Sequence, residues 1–477
     1  MSSFHRWCLL IAVLVYFAAA WFGVGYHAED EFQHVILFAE HLRGNADPTS
    51  LPIDYHAHWR SMAQPALCAG VFEVCEAIGI TDPFQFTLIL RLLTAALALW
   101  VMHGFIRSVS PLLKPNNQQA FIFLSYFLWF LPVLLIRYTG ETWSGLLFLR
   151  GLCMLLDQRK RNAWIIGAWF SAAVLCRPAV ALLPMGAMMW MLFAARYDRV
   201  RIVRVIAGGT LMLFVGVVID RLCYQQFTFT LWNYAIAALG GVEAERFTAL
   251  PWYQYLFFTL KYATIPIGVL LLIAFVILIA LRPKHLLAWM LLPFLIVHSI
   301  MPIKELRFLF PLAPLMPWLL LAAWEALQDK WPKQLARTIW LRVLFPFAAV
   351  NLLALLIGVA TPAGNGRIKL AQIARERFGQ EPVHIDHLGN WRQWIPPFYL
   401  APRSTEVFTD KVIADPKGKP IHLVMAHRSV GLDHVTNLER IAVATPAWAD
   451  RCMAWYLLDD EHDPLVLYRI TTQHSGH

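Results

Sequence analysis

TIPIGVLLLIAFVILIAL, residues 264–281, contains no charged side chain, and the basic residues Arg282 and Lys284 follow it. A helix needs about 17–25 apolar residues to cross the hydrocarbon core of a bilayer. The whole chain has the same character, because 58% of its 477 residues are hydrophobic, 15% are charged and the mean hydropathy is +0.53. A soluble protein cannot bury this much apolar surface. The sequence therefore predicts a protein that crosses the membrane several times.

Similar apolar runs recur along the chain, and we predict about eleven helical spans from them. The fourth and the sixth are short and could be re-entrant or tilted. The predicted spans are Trp7–Gly25, Phe84–Ile106, Ala120–Ile136, Thr142–Leu156, Ala163–Val180, Leu182–Ala195, Ile202–Ile219, Thr264–Leu281, Leu286–Ile300, Phe308–Trp324 and Leu341–Ala360. The predicted fold class is an all-α polytopic membrane protein.

The formal net charge of +9 comes from short basic strips between the apolar runs, a distribution that orients membrane proteins rather than one that binds nucleic acid. With eleven crossings, all strips and the N-terminus lie on one side, which is predicted to be cytoplasmic. The strips are Arg107 and Lys114; Arg159, Lys160 and Arg161; Arg196, Arg199, Arg201 and Arg204; Arg282 and Lys284; and Lys330, Lys333, Arg337 and Arg342.

The chain divides into a membrane part and a C-terminal part with a different pattern. Residues 1–361 are predicted to form the transmembrane domain, with extracytoplasmic loops at 26–83 and 220–262. Residues 362–477 combine a helical stretch with strand-like runs and are predicted to form a small extracytoplasmic α/β domain. The helix is expected at Leu370–Phe378, and strands are expected at Ile421–Ala426 and Pro464–Ile470.

Three acidic residues, Glu29, Asp30 and Glu31, follow the first predicted span within the stretch HAEDEFQH, residues 27–34. Carboxylates at a helix N-terminus complement the helix dipole, so a solvated helix start explains them. Alternatively, one of them is a general base that deprotonates an acceptor hydroxyl at a membrane cavity. The spacing does not decide between these two interpretations.

A second polar cluster, KELRF at residues 304–308, lies between two apolar runs. Charges at this depth cost on the order of 3 kcal/mol each unless they are paired or hydrated. Lys304, Glu305 and Arg307 are thus either the snorkelling charges of a short hairpin or part of an electropositive pocket for a phosphate.

A third cluster combines aromatic and polar residues. It contains Asp220, Arg221 and, later in the same loop, Trp252 and Tyr255. Aromatic residues beside a bilayer can form an interfacial belt. Sugar rings also stack on aromatic faces, so the cluster is alternatively a sugar or acceptor path.

The segment His384-Ile385-Asp386-His387 has a spacing similar to that of metal ligands, but its histidines would point together only on a helix. We therefore interpret it as an ordinary surface segment. The seven cysteines show no CxxC or Cys/His spacing. The sequence predicts neither a metal nor another cofactor.

In this order, the clusters resemble the motifs of the dolichol-phosphate-mannose-dependent mannosyltransferases of glycosyltransferase family 22, the GPI-anchor and N-glycan-precursor type with the GT-C fold. Residues 27–33 are similar to H-P-D-E-x-F-Q, and residues 304–311 resemble H-K-E-x-R-F-x-F-P, the most specific match. Residues 220–233 resemble D-R-x-x-Y-x-x-W-x-x-T-x-x-N-F, and residues 251–255 resemble H-P-W-x-x-Y. Arg177-Pro178 is similar to a mid-chain R-P.

Several positions depart from the family pattern. Glu29-Asp30 stands where the family has Asp-Glu, so the base is open among Glu29, Asp30 and Glu31. Ile303 and Leu250 replace two motif histidines, and residues 137–141 only loosely resemble R-T-x-S-N. These departures indicate a distant, bacterial-type member whose sugar and acceptor can differ.

The resemblance implies transfer of a sugar, expected to be mannose, from a polyprenyl-phosphate donor to a lipid-linked or glycan acceptor on the extracytoplasmic face, with inversion. Asp30 or Glu29 is expected to act as base, and Lys304 and Arg307 to hold the donor phosphate, with Glu305 orienting one cation. The residues expected along the sugar or acceptor path are Gln33, Asp220, Arg221, Trp252 and Tyr255.

The expected location is a bacterial inner membrane with a cytoplasmic N-terminus and a periplasmic C-terminal domain, or the ER membrane in a eukaryote. The expected partners are membrane lipids, the lipid-linked donor and the acceptor, without nucleic acid. The main alternative is a transporter or flippase of lipid-linked sugars, although no internal repeat of the transporter kind is evident. A purely structural subunit would not need three polar clusters on one side.

Overall fold

The structure is a computed structural model that describes residues 2–157, 162–240, 249–331, 337–388, 394–409, 421–430, 432, 437–457 and 463–471, without the side chains of 337–344 and 455–457. The predicted basic strip at Arg159, Lys160 and Arg161 lies outside the described residues, as do Lys333 and the side chains of Arg337 and Arg342. The described chain forms two compact units. The first comprises residues 1–17, 29–77 and 90–356, and the second residues 18–28, 78–89 and 357–477. The predicted domain boundary at 361 stays a prediction.

Helices dominate the structure up to residue 378. The α-helices are Ser3–Phe22, Leu37–Leu42, Ile53–His56, Ala63–Ala77, Pro83–Val109, Pro115–Phe127, Phe130–Leu134, Gly140–Leu156, Ala163–Cys176, Leu182–Met189, Arg199–Tyr224, Thr230–Gly240, Gln254–Tyr262, Ile265–Leu281, Leu286–Ile300, Met316–Lys330, Arg337–Ala360 and Arg367–Phe378. Glu31–Ile36 and Trp190–Ala194 are π-helical. The 3₁₀ segments are Pro48–Ser50, Ser110–Leu112, Pro178–Ala181, Leu306–Leu315 and Pro397–Tyr399.

Each predicted span coincides with helical structure, but the count of eleven is not confirmed. Among the described residues, five helices are long and apolar enough to cross a membrane, or six if a pair bent by 118° counts as one span. The five are Ser3–Phe22, Pro83–Leu112, Pro115–Leu134, Arg199–Tyr224 and Leu306–Lys330, and the bent pair is Ile265–Leu281 with Leu286–Ile300. The apolar helix Ala163–Cys176, with 14 residues, is shorter than the usual length of a crossing helix. The protein is an integral membrane protein.

Small residues allow two close approaches in the first unit. A Cβ atom on Gly167 would overlap the carbonyl oxygen of Val205, so helices Ala163–Cys176 and Arg199–Tyr224 touch through their backbones. Such contacts are typical of helix pairs in membranes. A Cβ atom on Gly145 would lie 2.9 Å from Cα of Pro311. Gly145 therefore lets the segment Leu306–Leu315 approach helix Gly140–Leu156 closely.

The second unit contains a five-stranded mixed sheet with the order β2-β1-β3-β5-β4. Strand β1 pairs in parallel with β2 and β3, whereas β5 is antiparallel to β3 and β4. The strands are β1 His384–Leu388, β2 Thr405–Thr409, β3 His422–His427, β4 Leu438–Val443 and β5 Leu465–Ile470, and helix Ala447–Leu457 precedes β5. The predicted helix and both predicted strands are present, so the small C-terminal α/β domain is confirmed.

The interpretation of residues 384–387 as a surface segment was wrong. They belong to β1, all five residues of which are buried. Because β1 has a parallel neighbour on each side, it lies inside the sheet. Its alternating polar residues resembled a solvated segment, but here they are enclosed.

Candidate active site

The candidate site of the first unit is built on the π-helical turn Glu31–Ile36, which Asp30 precedes. π-Helical turns are rare and often occur at functional sites. Asp30 is buried, with 9% of its surface exposed, and its Oδ2 atom lies 3.1 Å from Nδ1 of His34. The other ring nitrogen of His34, Nε2, lies 3.4 Å from Oδ2 of Asp54. His34 thus lies between two carboxylates.

Three arginines surround Asp30. The guanidinium of Arg307 forms an ion pair with its Oδ1 atom. Oδ2 lies 3.8 Å from a guanidinium nitrogen of Arg60 and 4.0 Å from one of Arg177. These arginines come from three separate parts of the chain. Arg60 lies in the loop before helix Ala63–Ala77, Arg177 follows helix Ala163–Cys176, and Arg307 lies at the start of the 3₁₀ segment Leu306–Leu315. The fold, rather than local sequence, gathers the positive charge.

Each arginine also has a carboxylate partner of its own. Nε of Arg60 lies 3.0 Å from Asp54, and a guanidinium nitrogen of Arg177 lies 2.5 Å from Glu141. Nε of Arg307 lies 2.7 Å from Glu305. The cluster is therefore close to charge-balanced, as buried ionic groups must be. A phosphate that enters it has to compete with these carboxylates for the arginines.

The electrostatics keep Asp30 ionised. Burial alone would raise its pKa, but the positive charges of His34, Arg307 and Arg60 outweigh burial and hold the pKa well below its usual range. The pKa of Asp54 is also lowered, because hydrogen bonding to His34 and the charge of Arg60 outweigh burial. Burial would lower the pKa of His34, but Asp30 raises it above its ordinary value. Asp30 is thus a carboxylate whose basicity depends on its cationic neighbours.

The other two acids of the stretch lie in different surroundings. Glu31 is buried and accepts a hydrogen bond from the backbone N–H of Tyr138 at 3.3 Å. Burial raises the pKa of Glu31, and this outweighs the effect of nearby arginines. Glu29 accepts a hydrogen bond at 3.3 Å from the side-chain amide of Gln33, a residue predicted to line the sugar path. Asp30 is the acid whose carboxylate contacts Arg307 and lies within 4.0 Å of Arg60 and Arg177.

Lys304 has a different environment from Arg307. Its ammonium donates hydrogen bonds to the carbonyl oxygens of Leu250, at 2.9 Å, and Met301, at 2.5 Å. Burial lowers its pKa. In this structure Lys304 joins two loops, while Arg307 contacts both Asp30 and Glu305. A role for Lys304 in binding phosphate stays a prediction.

Asp220 organises the loop that carries Arg60. Its Oδ1 atom accepts hydrogen bonds from the Ser61 hydroxyl, at 2.9 Å, and the Met62 backbone N–H, at 2.7 Å. Its Oδ2 atom accepts one from the Thr230 hydroxyl at 2.9 Å. Asp220 thus supports the site through the backbone around residue 61.

The other predicted path residues differ in exposure. Arg221 is exposed, and Trp252 is 69% exposed, which fits either an interfacial belt or an open acceptor path. Tyr255 is buried. Their predicted roles in binding sugar or acceptor remain predictions.

Sequence reasoning missed several members of the cluster. His34 is the last residue of the acidic stretch 27–34. Arg177 lies in the R-P match and Glu141 in the loose match to R-T-x-S-N. The motifs therefore pointed to the region of these three residues, although no role was predicted for them. Asp54 and Arg60 lie in the loop at 26–83 without a recognisable motif. Only the folded chain shows that they contact His34 and Asp30.

Among known structures, the chain is similar to ArnT from Cupriavidus metallidurans bound to undecaprenyl phosphate, with 12% sequence identity and a TM-score of 0.57 over 99% of both chains. For the same protein in the apo state, the identity is 14% and the TM-score 0.53, over 99% of this chain and 98% of that one. The fold is thus similar to that of ArnT.

A weaker likeness links the chain to the oligosaccharyltransferase of Archaeoglobus fulgidus in complex with Zn and sulfate. The identity is 13% and the TM-score 0.48, over 84% of this chain and 62% of that one. A comparison with curated protein sequences gives no significant match.

A family model settles the predicted resemblance. The model of the Alg9-like mannosyltransferase family, glycosyltransferase family 22, matches residues 6–380. The match extends well beyond the predicted motifs and includes all members of the arginine cluster. The chain belongs to the Alg9-like mannosyltransferase family.

Proposed function

We propose that this glycosyltransferase moves mannose from a polyprenyl-phosphate donor to a lipid-linked or glycan acceptor, on the extracytoplasmic face and with inversion. The observation that carries the proposal is the position of Asp30, in contact with Arg307 and within 4.0 Å of Arg60 and Arg177. A buried carboxylate among arginines provides a base and a phosphate site in one place.

The arginines are suited to hold the donor phosphate. Guanidinium groups bind phosphate through paired, charge-assisted hydrogen bonds. Arg307 is the best placed of the three to hold the phosphate beside the proposed base, because it directly contacts a carboxylate oxygen of Asp30. The structure of ArnT with undecaprenyl phosphate supports a donor of this kind, since a protein of similar fold binds that lipid phosphate.

Donor binding would prepare the base. When phosphate takes over Arg307, Asp30 loses part of the positive charge that lowers its pKa, so its affinity for a proton increases. The acceptor oxygen then forms a bond to the anomeric carbon while its proton passes to Asp30. The bond from that carbon to the phosphate oxygen breaks, and the electron pair leaves with the phosphate. Attack opposite the leaving group inverts the configuration.

His34 would position Asp30 rather than contact the sugar. Its ring nitrogen holds Oδ2 of Asp30, while Arg307 holds Oδ1. The second ring nitrogen is held by Asp54. The imidazole thus fixes the carboxylate when phosphate displaces Arg307.

The remaining details follow from sequence and family. The family description supports mannose. The basic strips support a cytoplasmic N-terminus, and hence a periplasmic active face in a bacterial inner membrane. We expect no divalent metal to be needed at this site, because arginines supply the positive charge that a departing phosphate requires.

The test is sugar transfer in membranes that contain the full-length protein, with radiolabelled polyprenyl-phosphate-mannose and total lipid extract as acceptor. Asp30→Asn should lower transfer about 10²- to 10⁴-fold, the range for loss of a general base. Asp198→Asn is the matched control, because Asp198 is exposed and its side chain does not cap the helix that follows. Translocation of the lipid-linked sugar without any transfer by the wild type would establish the transporter alternative instead.

A further inference from the structure

Two histidines and an aspartate converge inside the C-terminal sheet, in the second unit. His384 and Asp386 are two residues apart on β1, so their side chains lie on the same face of the sheet. His422 on β3 is the register partner of His384. The exposed fractions of His384, Asp386 and His422 are 5%, 0% and 4%. None of them takes part in the proposed transfer reaction.

The three side chains point their polar atoms at one another. Oδ1 of Asp386 lies 3.1 Å from Nε2 of His384, and Oδ2 lies 2.7 Å from Nε2 of His422. One donor atom from each residue lies within 4.8 Å of the other two. Around a tetrahedral zinc ion with bonds of 2.0–2.2 Å, neighbouring donor atoms are about 3.3–3.6 Å apart. Small rotations of the side chains would therefore admit an ion.

A supporting contact fixes one of the imidazoles. Nδ1 of His384 lies 2.6 Å from the hydroxyl of Thr405, on the neighbouring strand β2. Histidines that bind metals almost always have the second ring nitrogen hydrogen-bonded in this way, which sets the tautomer and the ring orientation. Because β1 lies between β2 and β3, the site is held by three adjacent strands.

We propose that His384, Asp386 and His422 bind a divalent transition-metal ion, for which zinc fits the donor set best. Imidazole and carboxylate ligands suit zinc and its neighbours among the first-row metals rather than calcium or magnesium. A carboxylate with no exposed surface needs compensating positive charge, and a divalent cation supplies it. The ion would join β1 to β3 and stabilise the C-terminal unit.

A chain without bound metal would satisfy the same groups in another way. Asp386 would then accept hydrogen bonds from both imidazoles. This alternative predicts a stable fold without any ion, so the two arrangements differ in metal content and in the response to added metal.

The test uses the full-length protein purified in detergent from zinc-supplemented cells. Elemental analysis should find about one zinc ion per chain. Asp386→Asn and His422→Gln should each reduce the zinc content per chain at least tenfold. His427→Gln, at the far end of β3, should leave it unchanged, because the ring of His427 contacts the Asp463 carbonyl oxygen instead.

A second measurement does not require the variants to fold. The wild type is stripped with a chelator, and its thermal unfolding is followed with zinc, with magnesium or without added metal. Zinc should raise the melting temperature of the stripped protein by several degrees, because an ion that binds the native state stabilises the native state. Magnesium should not raise it. A wild type that carries no stoichiometric metal and gains no stability from zinc would overturn the proposal and establish the hydrogen-bonded network.

Discussion

Arg307 forms a direct ion pair with Asp30. Arg307 lies in the 3₁₀ segment Leu306–Leu315, and Asp30 lies in the turn after the first helix. The sequence motifs that contain them are far apart, yet both face the same buried cluster. The sequence predicts that Arg307 holds the donor phosphate and that Asp30 acts as the base. The contact between them is compatible with both predicted roles. Under the proposed function, the carboxylate of Asp30 would neutralise Arg307 in the absence of donor, and Arg307 would restrain Asp30.

Arg307→Lys should weaken donor binding more than it slows the chemical step. Lysine keeps the charge but cannot form the paired hydrogen bonds of a guanidinium. We expect KM for polyprenyl-phosphate-mannose to rise roughly 10-fold or more, equivalent to about 1.4 kcal/mol. The measurement is a donor titration in the transfer assay, with the exposed Arg199→Lys as control. An unchanged KM would remove Arg307 from the phosphate site.

His34→Gln tests the positioning role of the imidazole. Glutamine can still donate one hydrogen bond but cannot carry the charge that lowers the pKa of Asp30. We expect kcat to fall on the order of 10-fold with little change in donor KM, and the acidic limb of the pH–rate profile to move to higher pH. A profile that keeps its midpoint would show that His34 has only a structural role.

Acidification should destabilise the first unit through Asp54. Its folded pKa is lowered below the unfolded value, so its contribution to stability is complete above the unfolded pKa and is lost as the pH falls through the folded pKa. The melting temperature of the wild type should therefore fall below about pH 4, the ordinary range for Asp. Asp54→Asn should lower the melting temperature at neutral pH and flatten this acidic decline. An equally steep decline in the variant would contradict the assignment.

Gly145→Ala should damage the site from a distance. The new Cβ atom would lie 2.9 Å from Cα of Pro311, so the segment that carries Arg307 must move. We expect higher donor KM and a lower melting temperature. Gly70→Ala is the matched control, because a Cβ atom there meets nothing within 4 Å. It should stabilise helix Ala63–Ala77 by about 0.5–1 kcal/mol.

Lys304→Gln separates the two roles open for this lysine. If it only joins loops through the carbonyls of Leu250 and Met301, the variant should melt earlier and keep its donor KM. If it moves to the phosphate when donor binds, as the sequence predicts, KM should rise at least 10-fold, as expected for a lost phosphate contact. The transfer assay and thermal unfolding of the same preparation distinguish these outcomes.

Hydropathy predicted the positions of the helices well, because apolar length is a local property of the chain. The number of helices that cross the membrane, predicted to be about eleven, stays a prediction. That number depends on helix length and bending, as in the 118° break after Leu281. The same limit applies to the site. Asp30 and Arg307 lie in motifs, whereas Arg60 joins them through long-range folding that leaves no periodic signal.

The sheet of the second unit shows a different limit of prediction from sequence. The apolar strands β3 and β5 follow ordinary strand patterns and were predicted. Strand β1, with the sequence HIDHL, is buried along its whole length although three of its five side chains are polar. Burial of polar groups requires partners on neighbouring strands, here His422 and Thr405. Such partners become visible only when the sheet is assembled.

Asp220 and Tyr224 connect the helix Arg199–Tyr224 to the loop that carries Arg60. Asp220 holds the backbone of Met62, and the hydroxyl of Tyr224 donates a hydrogen bond to the carbonyl oxygen of Arg60 at 2.8 Å. Helices of this length respond to bilayer thickness by tilting. A change in the tilt of this helix would thus be transmitted through Asp220 and Tyr224 to the loop that presents Arg60.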